Sequence, residues 1–234
     1  MRESLVIFRR ELKGYFYSPI AYVFGVLLTV VLLFISVSTS LVQGAQASMQ
    51  TFFGSIPLVF LLFLPALTMR LWAEERKTGT IELFLTLPVS IPAAVTGKFL
   101  AAWAFCGIAL ALTFPLWLTV RWLGDPDHGV IIASYVGSFL MAGAFLSIGA
   151  CMSAMTRNQV IAFVLGAVVC FLFTVSGSPI VINFFSGWAP QAVIDTIASF
   201  SFLTHFSAIV RGAPRVAEAL EEHAESAVVH RLQP

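Results

Sequence analysis

Charged residues inside this chain concentrate in residues 70–90, which read RLWAEERKTGTIELFLTLPVS and are called the charged loop below. Long runs with almost no charge flank the loop on both sides. Two glutamates, an arginine and a lysine stand next to each other, and Gly79 and Pro88 interrupt the chain after them. Such groups could form ion pairs and apolar contacts with a partner. An ordinary charged loop between membrane spans is the alternative interpretation.

Other chemistry is sparse in the sequence. Gly97-Lys98 is followed by Phe99 and has no glycine five residues before it, so the phosphate cradle of a nucleotide-binding loop is missing. Four histidines are scattered along the chain, and three cysteines lie in apolar runs without ligand or disulfide spacing. We predict no catalytic centre, no metal site and no cofactor bound by this chain itself.

The composition determines the protein class. Of 234 residues, 59% are hydrophobic and 11% charged, and the mean hydropathy is +0.92. Soluble domains carry about 25% charged residues, and a helix of about 20 apolar residues crosses the hydrocarbon core of a bilayer. We therefore predict an all-α integral membrane protein, a polytopic bundle with spans near 19–42, 52–69, 99–120, 131–154 and 160–184. No basic patch with interleaved aromatic residues suggests nucleic acid.

The distribution of lysine and arginine predicts the orientation. With a cytoplasmic N-terminus, the inner segments hold nine of these residues and the outer loops hold one, Arg121. The charged loop then lies on the cytoplasmic side, and residues 43–51 form an outer turn between the first two spans. The spans contain no ionisable group to bind a coupling ion, which disfavours a secondary carrier, and no catalytic cluster that would indicate an intramembrane enzyme.

The first sixteen residues have the pattern of an amphipathic helix. Five apolar residues recur at helical spacing on one face: Leu5, Phe8, Leu12, Tyr15 and Phe16. Most of the charges lie away from that face, with Arg10 among them and Arg9 at the boundary. This pattern predicts a helix in the plane of the membrane surface. A solvated tail with chance periodicity is the alternative.

The last part of the chain departs from the span pattern. Residues 189–210 are apolar but contain Asp195 and His205, which are costly inside a bilayer. We predict an outer interfacial or re-entrant segment there, with a true sixth span as the alternative. Residues 213–234 form a polar tail that cannot cross a bilayer.

The charged loop also contains residues that typically end or interrupt a helix. We predict that Arg70–Lys77 continue the second span, that Gly79 breaks the helix, and that Ile81–Leu87 form a short new helix ended by Pro88. Glu82 would lie in its first turn, where a carboxylate is favoured. Pro92 would keep a new helix from starting before the third span. The new helix would offer four apolar contacts: Ile81, Leu83, Phe84 and Leu87.

Residues 74–90, EERKTGTIELFLTLPVS, closely resemble the cytoplasmic loop of ABC-2 type transporter permeases, especially the gliding-motility-associated subgroup. The matching positions are Glu74, Glu75, Arg76, Lys77, Gly79, Thr80, Glu82, Leu85, Thr86 and Pro88. FRRELKGYFYSPIAYV (8–23) and SFSFLTHFSAIVRG (199–212) are similar to other parts of that family. The resemblance covers roughly residues 1–212.

The resemblance implies that this chain works together with a separate ATPase chain. Ile81–Leu87 would be the coupling helix that enters a cleft on a separate ATPase subunit, which would hold ATP and Mg. Glu74–Lys77 would form polar links to that ATPase or to the connecting helix at residues 2–16. Family members continue into a sixth span where residues 213–234 cannot, so we expect a truncated or frame-shifted end. The alternative is a working five-span protein with an outer tail.

Small residues recur in the fourth predicted span. Gly143, Ser147 and Cys151 are spaced four apart, while Gly149 and Ser153 lie on another face. Such spacing allows close helix approach, either inside the bundle or at a contact with a second permease copy or a paralogue. We interpret the chain as the dimeric permease half of an exporter-type ABC-2 complex in a bacterial inner membrane. The alternative function is a non-transporting assembly or scaffold subunit.

Overall fold

The described part of the chain is almost entirely helical. The computed structural model describes residues 2–17, 19–42, 49–82, 90–123, 127–186, 193–194, 196 and 199–209, and these ranges contain no strand. The helices with defined bounds are α1 (Arg2–Tyr17), α2 (Pro19–Val42), α3 (Gln50–Thr68), α4 (Ala73–Thr78), α5 (Ile91–Ala111), α6 (Phe114–Leu123), α7 (His128–Met155), α8 (Gln159–Val175) and α9 (Pro179–Ser186). The predicted all-α class is confirmed.

Three helical stretches in the described part of the chain are long and apolar enough to cross a membrane. They are Phe52–Thr78 with 27 residues, Ile91–Trp122 with 32 and His128–Met155 with 28. Val23–Ile35, within α2, and Gln159–Val175 are shorter apolar helical stretches. This is the architecture of a membrane protein, while the number of five spans stays a prediction.

Helices α3 and α7 form the centre of the bundle. α3 packs against α2, α7 and α8, and α7 also packs against α5 and α8. Large side chains such as Phe52, Phe60 and Phe145 are completely buried between them. Because lipid tails are as apolar as these side chains, such packing stabilises the bundle through close contact rather than through exclusion of water.

A small residue brings α3 and α7 together at the cytoplasmic end predicted from the sequence. Gly149 of α7 faces Thr68 of α3 so closely that an added Cβ would collide with the Thr68 hydroxyl. A Cβ on Gly166 of α8 would lie 3.3 Å from the Cβ of Pro65. The three helices therefore meet backbone to backbone at the level where α3 ends.

The third span differs from its predicted bounds of 99–120. The helix begins at Ile91, and Pro92 lies in its first turn instead of blocking it, because the first N–H groups of a helix have no partner within the helix. α5 then ends at Ala111, and α6 follows after a two-residue turn. Pro115 has no N–H for the Ala111 carbonyl, whereas the buried Thr113 hydroxyl donates to the Leu110 carbonyl over 2.6 Å.

The fifth predicted span, 160–184, is also divided. α8 ends at Val175, and α9 begins at Pro179 after a turn. Residues 202–209 are helical and return to the bundle, where the Phe202 ring lies 5.1 Å from that of Phe145. Ser201 and Phe206 are buried. The described part of the predicted outer segment 189–210 thus packs against α7 and α8, while Asp195 lies outside the described residues.

Candidate functional site

The charged loop begins with a short helix that is distinct from α3. α3 ends at Thr68, residues 69–72 form a turn, and α4 covers Ala73–Thr78. The helical stretch therefore continues beyond Lys77 to Thr78, as predicted, but a turn at residues 69–72 interrupts it. Glu74, Arg76 and Lys77 are exposed, whereas Glu75 is half-buried. The four charged residues of α4 thus divide into three that face outward and one that faces the protein.

Gly79 ends α4 as the sequence predicted. Its φ of 73° is left-handed, a conformation that glycine adopts without the steric cost that a Cβ imposes. Thr80 is exposed and Ile81 half-buried, and residues 80–82 are helical with the Glu82 N–H donating to the Gly79 carbonyl over 3.3 Å. The rest of the predicted coupling helix, with Leu83, Phe84, Leu87 and Pro88, lies outside the described residues.

A buried serine fixes the turn between α3 and α4. The Ser153 hydroxyl donates to the Met69 carbonyl over 3.0 Å and accepts from the N–H groups of Trp72 and Ala73 over 3.1 Å each. A serine hydroxyl has one donor and two acceptor sites, so all of its capacity is used. These three backbone groups belong to the interrupted helix, and α7 therefore determines where α3 stops and α4 starts.

Lys98 of α5 joins the charged loop to the N-terminal helix. Only 4% of this residue is exposed. Its ammonium donates to Glu75 Oε1 over 2.7 Å and to the Leu71 carbonyl over 3.2 Å. Glu11 Oε1 of α1 lies 3.6 Å away. One buried cation thus contacts three separate elements, and we call Lys98, Glu75 and Glu11 the lysine junction.

The surroundings of the lysine junction suit a buried charge. The ammonium lies 5.1 Å from the centroid of the Trp72 ring, where the negative face of the aromatic system attracts a cation. Among the described residues, Glu75 Oε2 is buried without a hydrogen-bond partner. Burying charges costs several kcal/mol per ion before pairing. The arrangement is therefore costly to break, because removing the cation leaves two carboxylates close together.

Helix α1 packs along the first half of α5. A Cβ on Gly97 would lie 2.9 Å from Ile7 and 3.0 Å from the Ser4 carbonyl. Glu11 and Tyr15 continue this face. Of the predicted apolar face, Leu5 and Phe16 are exposed and Phe8 and Leu12 are half-buried, while the rings of Tyr15 and Phe16 both approach α5. Arg9 and Arg10 are exposed.

Tyr15 anchors the end of this helix. Its ring stacks on Phe105 of α5 at 5.2 Å between centroids, and Phe16 approaches the same ring edge-on at 5.9 Å. Burial raises the pKa of the Tyr15 phenol well above its usual range, and the charge of Glu11 adds to this effect. The phenol is therefore neutral at physiological pH. Sequence periodicity predicted this helix, and the position of its apolar face in the membrane surface stays a prediction.

The small residues of α7 divide between two environments. Gly143 is buried, and a Cβ there would lie 3.1 Å from Nε1 of Trp103 on α5. Ser147 and Cys151 are exposed. The predicted set of Gly143, Ser147 and Cys151 is therefore not one packing surface within this chain. Close packing at the end of α7 beside the charged loop is instead made by Gly149 and Ser153, the pair that the sequence placed on another face.

Two members of the lysine junction were missed by sequence reasoning. Lys98 was considered only as an inner positive charge and as a lysine that lacks a phosphate-binding loop, and Glu11 was not assigned a role. The structure makes Lys98 the eighth residue of α5, which begins at Ile91, and an ionisable residue inside an apolar helix usually pairs with another charge or with backbone carbonyls. The predicted span began at residue 99, so this signal was not visible in the sequence.

The comparison with protein families identifies the chain. The model of the family described as ABC-2 family transporter protein matches residues 34–214, well over half of the chain. This chain belongs to the ABC-2 transporter family. The matched region begins within α2 and contains the whole charged loop, both ends of α7 and Lys98. No curated protein matches the chain significantly.

Membership in the ABC-2 family supports a membrane-embedded permease role, as the sequence resemblance implied. The family match and the three long apolar helices together identify a membrane protein. Members of this family are membrane subunits, and an ATPase subunit is their general partner. The lysine junction and the Ser153 contacts lie where the ABC-2 chain leaves its second predicted span.

Proposed function

We propose that this ABC-2 family chain is a permease subunit that forms a translocation pathway as a dimer and is driven by separate ATPase subunits through the charged loop. The observation that carries the proposal is the lysine junction, in which Glu75 of the loop and Glu11 of α1 contact the same buried lysine. Such an attachment would carry a displacement of the loop into α5 and α1. ATP and Mg would bind to the partner, because this sequence lacks a phosphate-binding loop.

The proposed mechanism follows from how the loop is attached. Closure of two ATPase subunits would push on Ile81–Leu87, and Gly79 would set the angle between that helix and α4. Movement of α4 would reach α5 through Glu75 and Lys98, which are 2.7 Å apart. It would reach α1 through Glu11. The exposed Arg76 and Lys77 would form the polar links to the ATPase, and Glu74 would face the connecting helix α1.

The remaining features of the proposal come from the sequence. We propose a cytoplasmic N-terminus in a bacterial inner membrane, export as the direction of transport, and membership of the gliding-motility-associated subgroup. The second permease copy would be identical or a paralogue. Its contact surface would include the exposed Ser147 and Cys151 of α7, since small exposed residues allow close approach between helices.

Co-purification of the ATPase tests the proposal. Phe84→Asp places a charge on the apolar side of the predicted coupling helix, and we expect loss of the ATPase with unchanged membrane insertion. The matched control is Phe84→Leu, which keeps an apolar contact and should retain the partner. We expect ATP-dependent transport by reconstituted complexes to be lost with Phe84→Asp and kept with Phe84→Leu.

Two results would contradict the proposal. One is a stable native complex that contains no nucleotide-binding chain, which would favour the scaffold alternative. The other is full transport by a chain in which residues 80–88 are replaced by a glycine-serine linker. Either result would separate the charged loop from any mechanical role, whatever its contacts with Lys98.

A further inference from the structure

A cavity of about 350 Å³ lies where α1 meets the junction of α3 and α4. Phe24, Ala66 and Leu67 contribute an apolar wall, and Arg10, Glu74 and other charged residues contribute a polar one. The sequence has no charged residue between Lys13 and Arg70. The cavity therefore lies at the boundary between the charged and the uncharged parts of the helices, which is the depth of the lipid headgroups.

Equal numbers of positive and negative side chains line the cavity, but they differ in how closely they are paired within the chain. The three cations are Arg10, Arg70 and Lys98, and the three anions are Glu11, Glu74 and Glu75. Lys98 is taken up by its two carboxylates within the lysine junction. Arg70 and Glu74 are paired only loosely, at 3.9 Å with 38% and 50% of their side chains exposed. Arg10 has no ion pair within the described part of the chain.

Arg70 also donates to Gln159 Oε1 over 3.4 Å. The groups most open to a ligand are therefore the guanidinium of Arg10 on α1 and the loosely paired carboxylate of Glu74 on α4. Arginine binds phosphate oxygens through charge-assisted hydrogen bonds. A carboxylate accepts hydrogen bonds from a primary ammonium, which has three N–H donors. The apolar wall beside them suits the glycerol and the first methylenes of an acyl chain. This combination matches a zwitterionic lipid and not a purely anionic one.

We propose that the cavity binds the headgroup of a phospholipid with a primary ammonium, of the phosphatidylethanolamine type. Its phosphate lies at Arg10 and its ammonium at Glu74. A trimethylammonium headgroup has no N–H to donate to Glu74, and a glycerol headgroup has no positive charge to offer it. The site needs only the chain in a bilayer, so it does not rest on the proposed ATPase coupling.

Gly14 offers a way to close the cavity without touching its charges. It lines the cavity, and a Cβ built on it meets no atom within 4 Å. Gly14→Leu would therefore extend into the space that the headgroup needs. Gly54 of α3 is also exposed with nothing within 4 Å of a built Cβ, and it does not line the cavity. Gly54→Leu is the matched control.

Lipid binding to the purified full chain tests the proposal, measured by native mass spectrometry with phosphatidylethanolamine, phosphatidylcholine and phosphatidylglycerol of the same acyl chains. We expect phosphatidylethanolamine to bind about tenfold more tightly than the other two, the ratio that corresponds to one charge-assisted hydrogen bond. Gly14→Leu, Arg10→Ala and Glu74→Gln should each remove this preference, and Gly54→Leu should keep it.

Three outcomes would overturn the proposal. Equal binding of the three lipids would show that the cavity does not select a headgroup. An unchanged preference in Gly14→Leu would place the lipid elsewhere on the chain. Competition by soluble phosphoethanolamine as effective as that of the whole lipid would identify a site for a free metabolite. None of these outcomes depends on whether Phe84→Asp releases an ATPase, so the two proposals fail separately.

Discussion

At the scale of single residues, Lys98 connects more of the structure than its sequence position suggests. It is almost fully buried, while Glu75 and Glu11 retain 23% and 27% of their side-chain exposure. Three helices depend on one ammonium, which neutralises two carboxylates from different parts of the chain. Removing it would leave those carboxylates facing each other, whereas removing one carboxylate would leave a paired cation.

Lys98→Met tests this asymmetry. We expect the full chain to lose about 3 kcal/mol of stability, at the lower end for a broken buried pair because both carboxylates are partly exposed. Thermal unfolding in detergent measures the loss. Lys13→Met, at an exposed lysine of α1, should change little. Adding Glu75→Leu to Lys98→Met should recover part of the loss, and a double variant that is merely additive would contradict a direct interaction.

At the scale of elements, the boundary between α3 and α4 is determined by a neighbouring helix. Ser153 contacts Met69, Trp72 and Ala73, so the turn between α3 and α4 is completed from α7. The local sequence of the turn contains neither glycine nor proline. No local signal could therefore have predicted it.

Ser153→Ala should destabilise this junction by about 2 kcal/mol, because three backbone groups, all at least partly buried, lose their partner. The melting temperature of the purified chain measures the effect. Ser147→Ala is the matched control on the same helix, since its exposed hydroxyl bonds only to the nearby Ala144 carbonyl. Equal losses in the two variants would contradict the role of Ser153.

Sequence reasoning predicted elements where local signals are strong. The bounds of α2, α3 and α7 lie within three residues of the predicted spans, because charge, proline and polar turns delimit those apolar runs. The breaks at Leu112–Thr113 and at 176–178 were missed, although Pro115 and Pro179 follow them. The lysine junction could not be derived, because its members are far apart in sequence and meet only through the packing of α1 on α5.

At the scale of the whole molecule, the distribution of charge predicts how the chain lies in the bilayer. Nine lysine and arginine residues fall in segments predicted to be inside and one in an outer loop. The lysine junction lies at the charged end of α5, together with the charged loop and α1. This places the proposed docking elements on a single side of the membrane.

Accessibility of tags in intact cells measures this orientation. A tag inserted within residues 43–51 should be labelled from outside, because that segment is the predicted outer turn. A tag at the N-terminus should be labelled only after permeabilisation. The reverse pattern would place the charged loop outside and would exclude a cytoplasmic ATPase as its partner.

The lysine junction also imposes an order on biogenesis. A ribosome synthesises Glu11 first, Glu75 next and Lys98 last. Both carboxylates are therefore made before their shared counterion. Helix α1 cannot pack fully against α5 until α5 has been inserted into the membrane. The N-terminal helix, although made first, therefore reaches its final packing only after α5 has been made.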